Sequence, residues 1–515
     1  MTAAAGRHRQ SGPVLPLPPT DAEKHSYATR ALVHLTPALM LSAGCIIVAQ
    51  GFMEWKNIDV VPAAAVLFAC YTFIYFAYMA ISLPVNFTGR PFDFETHNEL
   101  VRTWNPGRWP DVDILLPICG EPIEVLRNTW AGALGLIRAY PGRAQAFVLD
   151  DGDSDEARAA VAEFGFAYVR RPVHVHKKSG NLNFALHRTR AEHVVIFDAD
   201  FRPRPDFLAE TLPYMDEPTV GIVQTPQYFR VSPRQTWVER AATVTLEVFY
   251  RAVQVSRDRF GSALCVGSNA VYRRAALEAC GGFTEIPYAE DSHTGLDCRR
   301  AGYDLRYLPV PLATGVCPSS LDAFMRQQYR WCCGASSLVW TRHMWRVPMR
   351  FRARLPYVAG WLWNFTTALR TLMLPLIPIT LLAFAPGEIK LRNALLLIPP
   401  VVVGVVLYPL WHNAPYSPRV WPLSIAVGWA QVLAIWDFAR GKVMSWQPTR
   451  GPASATRRFW WGVTAWNGSL ALLWLVLAAY RMLQTGSYRF GIVGVFGLMN
   501  AFIIVRLIFP GRDAA

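Results

Sequence analysis

Two acidic residues, Glu290 and Asp291, stand side by side ahead of a polar run, Ser292-His293-Thr294. Further along come Gln327, Arg330 and Trp331, spaced as Gln-x-x-Arg-Trp. A carboxylate within hydrogen-bond reach of a hydroxyl can take its proton, which is general-base work. Arg330 offers a planar, permanently charged fork suited to phosphate, and Trp331 a flat apolar face suited to a sugar ring. Each half alone has a plainer reading, as helix-capping acids and as an anchor at a membrane surface.

More chemistry lies upstream. Asp150-Asp151-Gly152 follows the apolar run AQAFVL. A carboxylate there can accept hydrogen bonds from a uracil or ribose, and the glycine lets the chain turn sharply. Asp198-Ala199-Asp200 follows VVIF, and two carboxylates one residue apart suit a hard cation that also binds phosphate oxygens. Such a cation, Mg²⁺ or Mn²⁺, neutralises a diphosphate leaving group as a Lewis acid does. In HKKSGNLNFAL (176–186), Lys177 or Lys178 can reach the diphosphate. Gly180-Asn181 open a helix there whose free N–H groups favour anions. His174 and His176 read as surface residues.

Taken together, these residues resemble the family 2 processive glycosyltransferases, in particular the bacterial cellulose synthase catalytic subunits. The T-E-D and Q-x-x-R-W motifs of that family are matched by Ala289-Glu290-Asp291 and Gln327-Gln328-Tyr329-Arg330-Trp331. Ala289 replaces the Thr, leaving both carboxylates intact. A K-A-G-N-L-N stretch is matched from Lys178, with Ser179 for Ala, and VQTPQYF (223–229) and GSNAVYRR (267–274) resemble the acceptor side. Trp446-Gln447-Pro448-Thr449-Arg450-Gly451 loosely resembles the family's gating loop.

The resemblance implies a processive, inverting β-glycosyltransferase that uses a UDP-sugar, with UDP-glucose and a β-1,4-glucan expected. It assigns Asp291, beside Glu290, as the base, and Asp198 with Asp200 as ligands of Mg²⁺ or Mn²⁺. It assigns Asp150, Asp151, Lys178, Asp198, Gln327, Arg330 and Thr449 to the nucleotide sugar. Trp331, Gln224, Gly267 and Ser268 go to the acceptor. A chitin-, hyaluronan- or mannan-like polymer is the alternative product, and single transfer onto a lipid is the alternative reaction. Against the latter stands Gln-x-x-Arg-Trp; against an inactive transporter or scaffold stand the intact acidic motifs. Expected partners are the donor, the growing polysaccharide, the lipid bilayer and accessory subunits of a secretion complex, with no nucleic acid.

These residues need a scaffold. The chain has 515 residues, 52% hydrophobic, with a net charge of +14, which suits anionic lipid or polyphosphate neighbours. Apolar runs near 20 residues long mark an integral membrane protein. The nine cysteines show no metal or disulfide spacing, and Cys332-Cys333 reads as small, soft packing.

From 111 onward, short apolar strands alternate with amphipathic helices, which predicts a mostly parallel sheet with helices on both faces. Ligands of such a sheet bind at the carboxyl ends of its strands, where the acidic motifs fall. The expected fold is thus a GT-A-like α/β glycosyltransferase domain inserted between transmembrane helices.

In order, the expectation is a disordered basic tail (1–30), two spans (31–83), and the catalytic domain (84–318). Interfacial helices carrying Gln-x-x-Arg-Trp (319–369) precede two more spans (370–411). An interfacial or re-entrant segment with the candidate gating loop (412–459) leads to the last two spans (460–509). Placing 421–438 at the interface keeps the basic loop 439–459 cytoplasmic, as the positive-inside rule prefers. That gives six spans at the plasma membrane, with seven the alternative and the catalytic domain cytoplasmic. With seven residues after Ile508, no cyclic-di-GMP domain is expected in this chain.

Overall fold

A computed structural model describes residues 15–27, 38–44, 46, 62–86, 92–390, 395–444 and 457–508. The α/β domain is built on seven strands: β1 (Val112–Ile118), β2 (Ala144–Asp150), β3 (Ala167–Arg170), β4 (His193–Ile196), β6 (Val220–Gln224), β8 (Ala270–Arg273) and β9 (Asp304–Tyr307). They lie in the order β3-β2-β1-β4-β8-β6-β9. All neighbours are parallel except those of β8, which runs antiparallel to β4 and β6. A side sheet holds β5 (Arg202–Pro203), β10 (Ala313–Gly315) and β7 (Tyr228–Phe229) in the order β5-β10-β7.

The sequence explains the layering. Every residue of β1 is buried, as expected of a central strand covered on both faces. Successive side chains point to opposite faces, so Ile114 and Leu116 join the core with Trp130 and Val148. Leu115 joins the other core, with Leu149, Leu182 and Tyr272. The helix Asp155–Phe164 starts where Ser154 caps Ala157 N–H and stops at Gly165, whose left-handed backbone suits glycine.

Residues 15–27 overturn the expectation of a disordered tail there. They are ordered, with a short helix Asp21–Lys24 and Tyr27 buried against Tyr228. Proline-rich chain loses little entropy on ordering, and its unused carbonyls are ready acceptors.

Among the described residues, five helices are long and apolar enough to cross a membrane: Phe68–Val85, Phe351–Phe384, Val420–Ala439, Arg458–Thr485 and Arg489–Ile508. Leu395–Trp411 is a shorter apolar helix. Of the expected first span, only 38–44 and 46 are described, and they are helical.

The expected break at 369/370 is not a helix boundary. The helix Phe351–Met373 runs unbroken through Arg370. A buried arginine facing lipid would be costly, but Arg370 lines an internal cavity instead.

The helix Val420–Ala439 has a distinctive placement. Ahead of it, Asn413 and Ala414 donate backbone N–H groups to Glu247 at 2.8 and 3.1 Å. At its other end, Asp437 accepts from the Tyr329 hydroxyl at 3.0 Å and from Arg458 at 2.9 and 3.0 Å. Both ends are thus tied to helices outside the apolar spans, Trp237–Val248 and Leu321–Trp340. Cys332 and Cys333 are fully buried, with Val420–Ala439 packed beside them.

Candidate active site

The carboxyl edge of the sheet opens into one cavity of about 2020 Å³. Asp151, Lys177, Lys178, Asp198, Asp200, Glu290, Asp291, Gln327, Arg330 and Trp331 all line it. The motif residues, distant in sequence, therefore meet.

Local structure fixes each one. Asp198 follows β4, and its N–H donates to Ser268 Oγ at 2.9 Å. Lys178, in the first turn of the helix Lys177–Leu186, donates to Asp198 Oδ1 and to Gly267 O, the latter at 3.3 Å. Burial alone would lower the Lys178 ammonium, but Asp198, Glu290 and Asp291 outweigh it and hold it above its ordinary value. Gly267 has φ +76°, and a Cβ there would sit 2.9 Å from Asp291 Cβ. Only glycine fits so close a turn.

Glu290 and Asp291 begin the helix Glu290–Arg300. Ala289 before them adopts φ 51°, a strained left-handed backbone of the kind found at functional sites. Gly334 explains how the second motif docks: a Cβ on it would meet Ala289 Cβ at 2.5 Å. The helix Leu321–Trp340 thereby lies directly on the acidic pair. Burial, then Glu290, push the Asp291 carboxyl up to about 7, against the opposing pull of Lys178. Burial lowers the Arg330 guanidinium, with Glu290 opposing. Trp331 is 41% exposed, a bare indole face on the cavity.

Four expected contact residues, Asp150, Gln224, Gly267 and Ser268, do not line the cavity. Asp150 is 0% exposed and its carboxylate accepts from Gly152 N–H, Ser154 N–H and the Tyr168 hydroxyl at 2.7, 2.8 and 2.6 Å. It shapes the turn that presents Asp151. Gln224, also 0% exposed, donates to Ser268 O at 2.8 Å and accepts from Val266 N–H at 2.9 Å. Ser268 is spent on Asp198 and on Asn269, to which its hydroxyl donates at 3.2 Å. Both brace the turn at Gly267 from behind. Thr449 lies outside the described residues.

Two residues were missed. Arg171 grips Asp151 through Nε and Nη2 at 2.7 and 2.6 Å, fixing the carboxylate at the cavity edge. Glu121 lines the cavity after β1, accepting from Cys119 N–H at 2.6 Å. Both follow strand ends, the position that had flagged the acidic motifs.

Asp200 tests whether a cation fits. Burial, then Asp198 and Glu121, push its carboxyl up to about 7. Carboxylates gathered in this way are relieved by a divalent cation, and their oxygens are the hard donors that Mg²⁺ or Mn²⁺ prefers. Among the described residues, no group of three or more His, Cys, Asp and Glu is placed to hold a metal ion by itself. Protein carboxylates would therefore supply part of the shell and phosphate oxygens the rest, which is usual for Mg²⁺.

Comparison with known proteins places this geometry. Residues 193–408 match the family model described as glycosyl transferase family group 2. Over 234 residues the chain is 37% identical to cellulose synthase 1 of Komagataeibacter xylinus, covering 45% of this chain and 15% of that one. It is 30% identical over 338 residues to the UDP-forming cellulose synthase 1 catalytic subunit of that organism, covering 64% of this chain and 44% of the relative. The chain thus spans less than half the length of either relative. A solved mannosyltransferase from Pyrobaculum calidifontis, in complex with GDP-Man and Mn²⁺, aligns at TM-score 0.49 and 20% identity, over 72% of this chain and 99% of that one. The resemblance read from the motifs is borne out by the sequence matches: this chain is similar to glycosyl transferase family group 2 and to cellulose synthase catalytic subunits.

Proposed function

We propose that this chain is a processive, inverting β-glycosyltransferase that polymerises a UDP-sugar, with UDP-glucose and a β-1,4-glucan the preferred pair, and passes the polymer across the plasma membrane. One observation carries the reading. The cavity that holds the motif residues continues between helices, where Tyr78, Trp363, Thr367, Arg370, Tyr408 and Tyr416 line it. At about 2020 Å³ it exceeds the roughly 300–1,000 Å³ of an ordinary small-molecule site. A nucleotide sugar occupies one end, leaving room for a chain of sugars at the other.

In this reading Asp291 accepts the proton of the acceptor hydroxyl, whose oxygen attacks the anomeric carbon as UDP departs on the opposite side. A carboxylate with a raised pKa is a better base than an ordinary one. Lys178 and Arg330 meet the diphosphate, and Lys177 adds a third cation on the same cavity wall. Asp198 and Asp200 hold the divalent cation, which supplies Lewis-acid neutralisation of the leaving group. Asp151, clamped by Arg171, faces the nucleoside. Trp331 stacks on the terminal sugar and keeps its hydroxyl aimed at Asp291. Glu290 steadies Arg330 and Lys178.

The membrane placement follows from the same contacts. The helix Val420–Ala439 lies along the interface, because one end is tied to the catalytic domain at Glu247 and the other to the interfacial helix Leu321–Trp340 at Tyr329.

The test is a donor screen with the purified chain in lipid, followed by linkage analysis of any polymer. UDP-glucose turned into a β-1,4-linked glucan is the expected result. Transfer of single sugars to lipid alone, or no turnover of any UDP-sugar, would overturn it.

A further inference from the structure

The segment 15–27 takes no part in the chemistry above, yet it joins two walls of the cavity. It is an extended proline-rich run followed by the helix Asp21–Lys24, which a capping box of Thr20 and Glu23 closes. Leu15 borders the cavity itself. The run's carbonyls serve as acceptors: Pro16 from Asn128 at 2.9 Å, Pro18 from Arg230 at 3.0 Å and Pro19 from Arg204 at 2.5 Å.

Its charged groups hold two separate anchors. On one side, Asp21 accepts from Arg204 at 2.8 Å, and Lys24 pairs with Asp206 at 3.2 Å and with Glu210. That anchor lies just past Asp198–Asp200. On the other side, Glu23 takes Arg230 Nε and Nη2, both at 2.6 Å, and the Tyr228 hydroxyl at 3.1 Å. Arg230 and Tyr228 follow directly from the acceptor-side run 223–229.

The anchors correspond to β5 and β7, the two outer strands of the side sheet, whose neighbours Phe201, Gln227 and Phe229 line the cavity. Ser26 O also accepts from Asn413 at 2.7 Å, at the turn leading to Val420–Ala439. Despite burial, the hydrogen bonds from Arg230 and Thr20 hold the Glu23 carboxyl at about 2, so the pair stays ionised at neutral pH.

We propose that residues 15–27 form a strap that fixes the spacing between the Asp198–Asp200 wall and the acceptor wall, making Glu23 and Arg230 positioning residues for the acceptor. The proposal rests on the transferase reading above. Spacing matters because misplacing a reactant by about 1 Å can cost on the order of a hundredfold in rate. Donor binding, assigned above to Lys178 and Arg330, uses none of the residues to which the segment bonds.

The experiment uses the full chain in lipid, as wild type, as Glu23→Gln, and as the charge swap Glu23→Arg with Arg230→Glu. Amide hydrogen exchange over 201–206 and 226–231 needs no turnover, so it reads the strap even where the transferase reading fails. Glu23→Gln should speed exchange in both stretches about tenfold while leaving 144–150 unchanged. It should lower the ratio of sugar transfer to donor hydrolysis about tenfold, with UDP affinity unaltered, and the swap should recover most of that ratio. Unchanged exchange would overturn the strap. So would an unchanged ratio in an enzyme that does turn over UDP-glucose. Equal losses of transfer and UDP affinity would also overturn it, since the segment would then support the domain as a whole.

Discussion

The cavity has two unlike ends. The end at the sheet edge is lined by charged groups that turns and strained backbone hold fast, as at Ala289, His176 and Lys177, all with positive φ. Lys178 is tied to Asp198, and Arg171 to Asp151. The end between the helices is lined by Tyr78, Trp363, Thr367, Tyr408 and Tyr416, on ordinary helical backbone and its flanking turns, with Arg370 among them. Bond-making needs groups fixed in place, because catalysis falls steeply with misplacement. Passage of a polymer needs the reverse, a surface of aromatic faces and hydroxyls that holds no one position too tightly.

That contrast sets the expected size of each perturbation. The largest falls at Asp291. With Asp291 in the proposed role of base, Asp291→Asn should lower transfer on the order of 10²–10⁴-fold, while UDP affinity measured by calorimetry stays nearly constant. Comparable loss of UDP affinity would assign Asp291 to binding rather than chemistry. Trp331 sits where the two ends join. Trp331→Ala should cut polymer yield by roughly a hundredfold and leave donor hydrolysis detectable. Unchanged chain length and elongation rate would make Trp331 an anchor only.

The pH dependence is smaller and distinguishes the ends further. Asp291 works as a base only when ionised, and its carboxyl is pushed up to about 7. The kcat/KM for transfer should therefore be flat at high pH and fall about tenfold per unit as pH drops below that value. A profile flat through pH 6 would remove Asp291 from the role. At the helical end effects should be smallest. Trp363→Ala removes one aromatic face, worth about 0.5–1.5 kcal/mol, so elongation should slow only several-fold with hydrolysis untouched. A loss as large as that of Asp291→Asn would erase the distinction.

The same contrast governs what could be read from the sequence. Strand β1 was legible to the residue, since VDILLPI is apolar but for Asp113, as in a strand buried on both faces. The reactive residues were legible because strand ends and helix starts carry them in short motifs. Within those motifs, however, adjacent acids parted company: Asp150 turns inward and Asp151 outward, a difference set by one step of backbone. Gln224 and Ser268 look like binding groups in a motif, yet each is consumed in holding a turn.

Arg171 follows a strand end, yet it escaped notice because its partner Asp151 stands on a different strand end and the pairing leaves no motif. The strap could have been seen in part. Thr20-Asp21-Ala22-Glu23 is a capping-box spacing, but composition argued for disorder more loudly. The helical end was hardest. Nothing in an apolar run distinguishes residues that face lipid from those that face a cavity, so Arg370 was placed at a helix end to spare it from lipid.

The central claim is that one continuous cavity holds both the reaction and the growing chain. It is tested most directly by the length of product made when enzyme exceeds the number of chains it can start. Purified protein in lipid would be given a short pulse of labelled UDP-glucose, then an excess of unlabelled donor, and the labelled polymers sized. A polymer threaded between the helices cannot leave after each addition, so the label should appear at once in long chains and lengthen further during the chase. Short labelled products that stop growing during the chase, and whose length scales with enzyme concentration, would contradict the account.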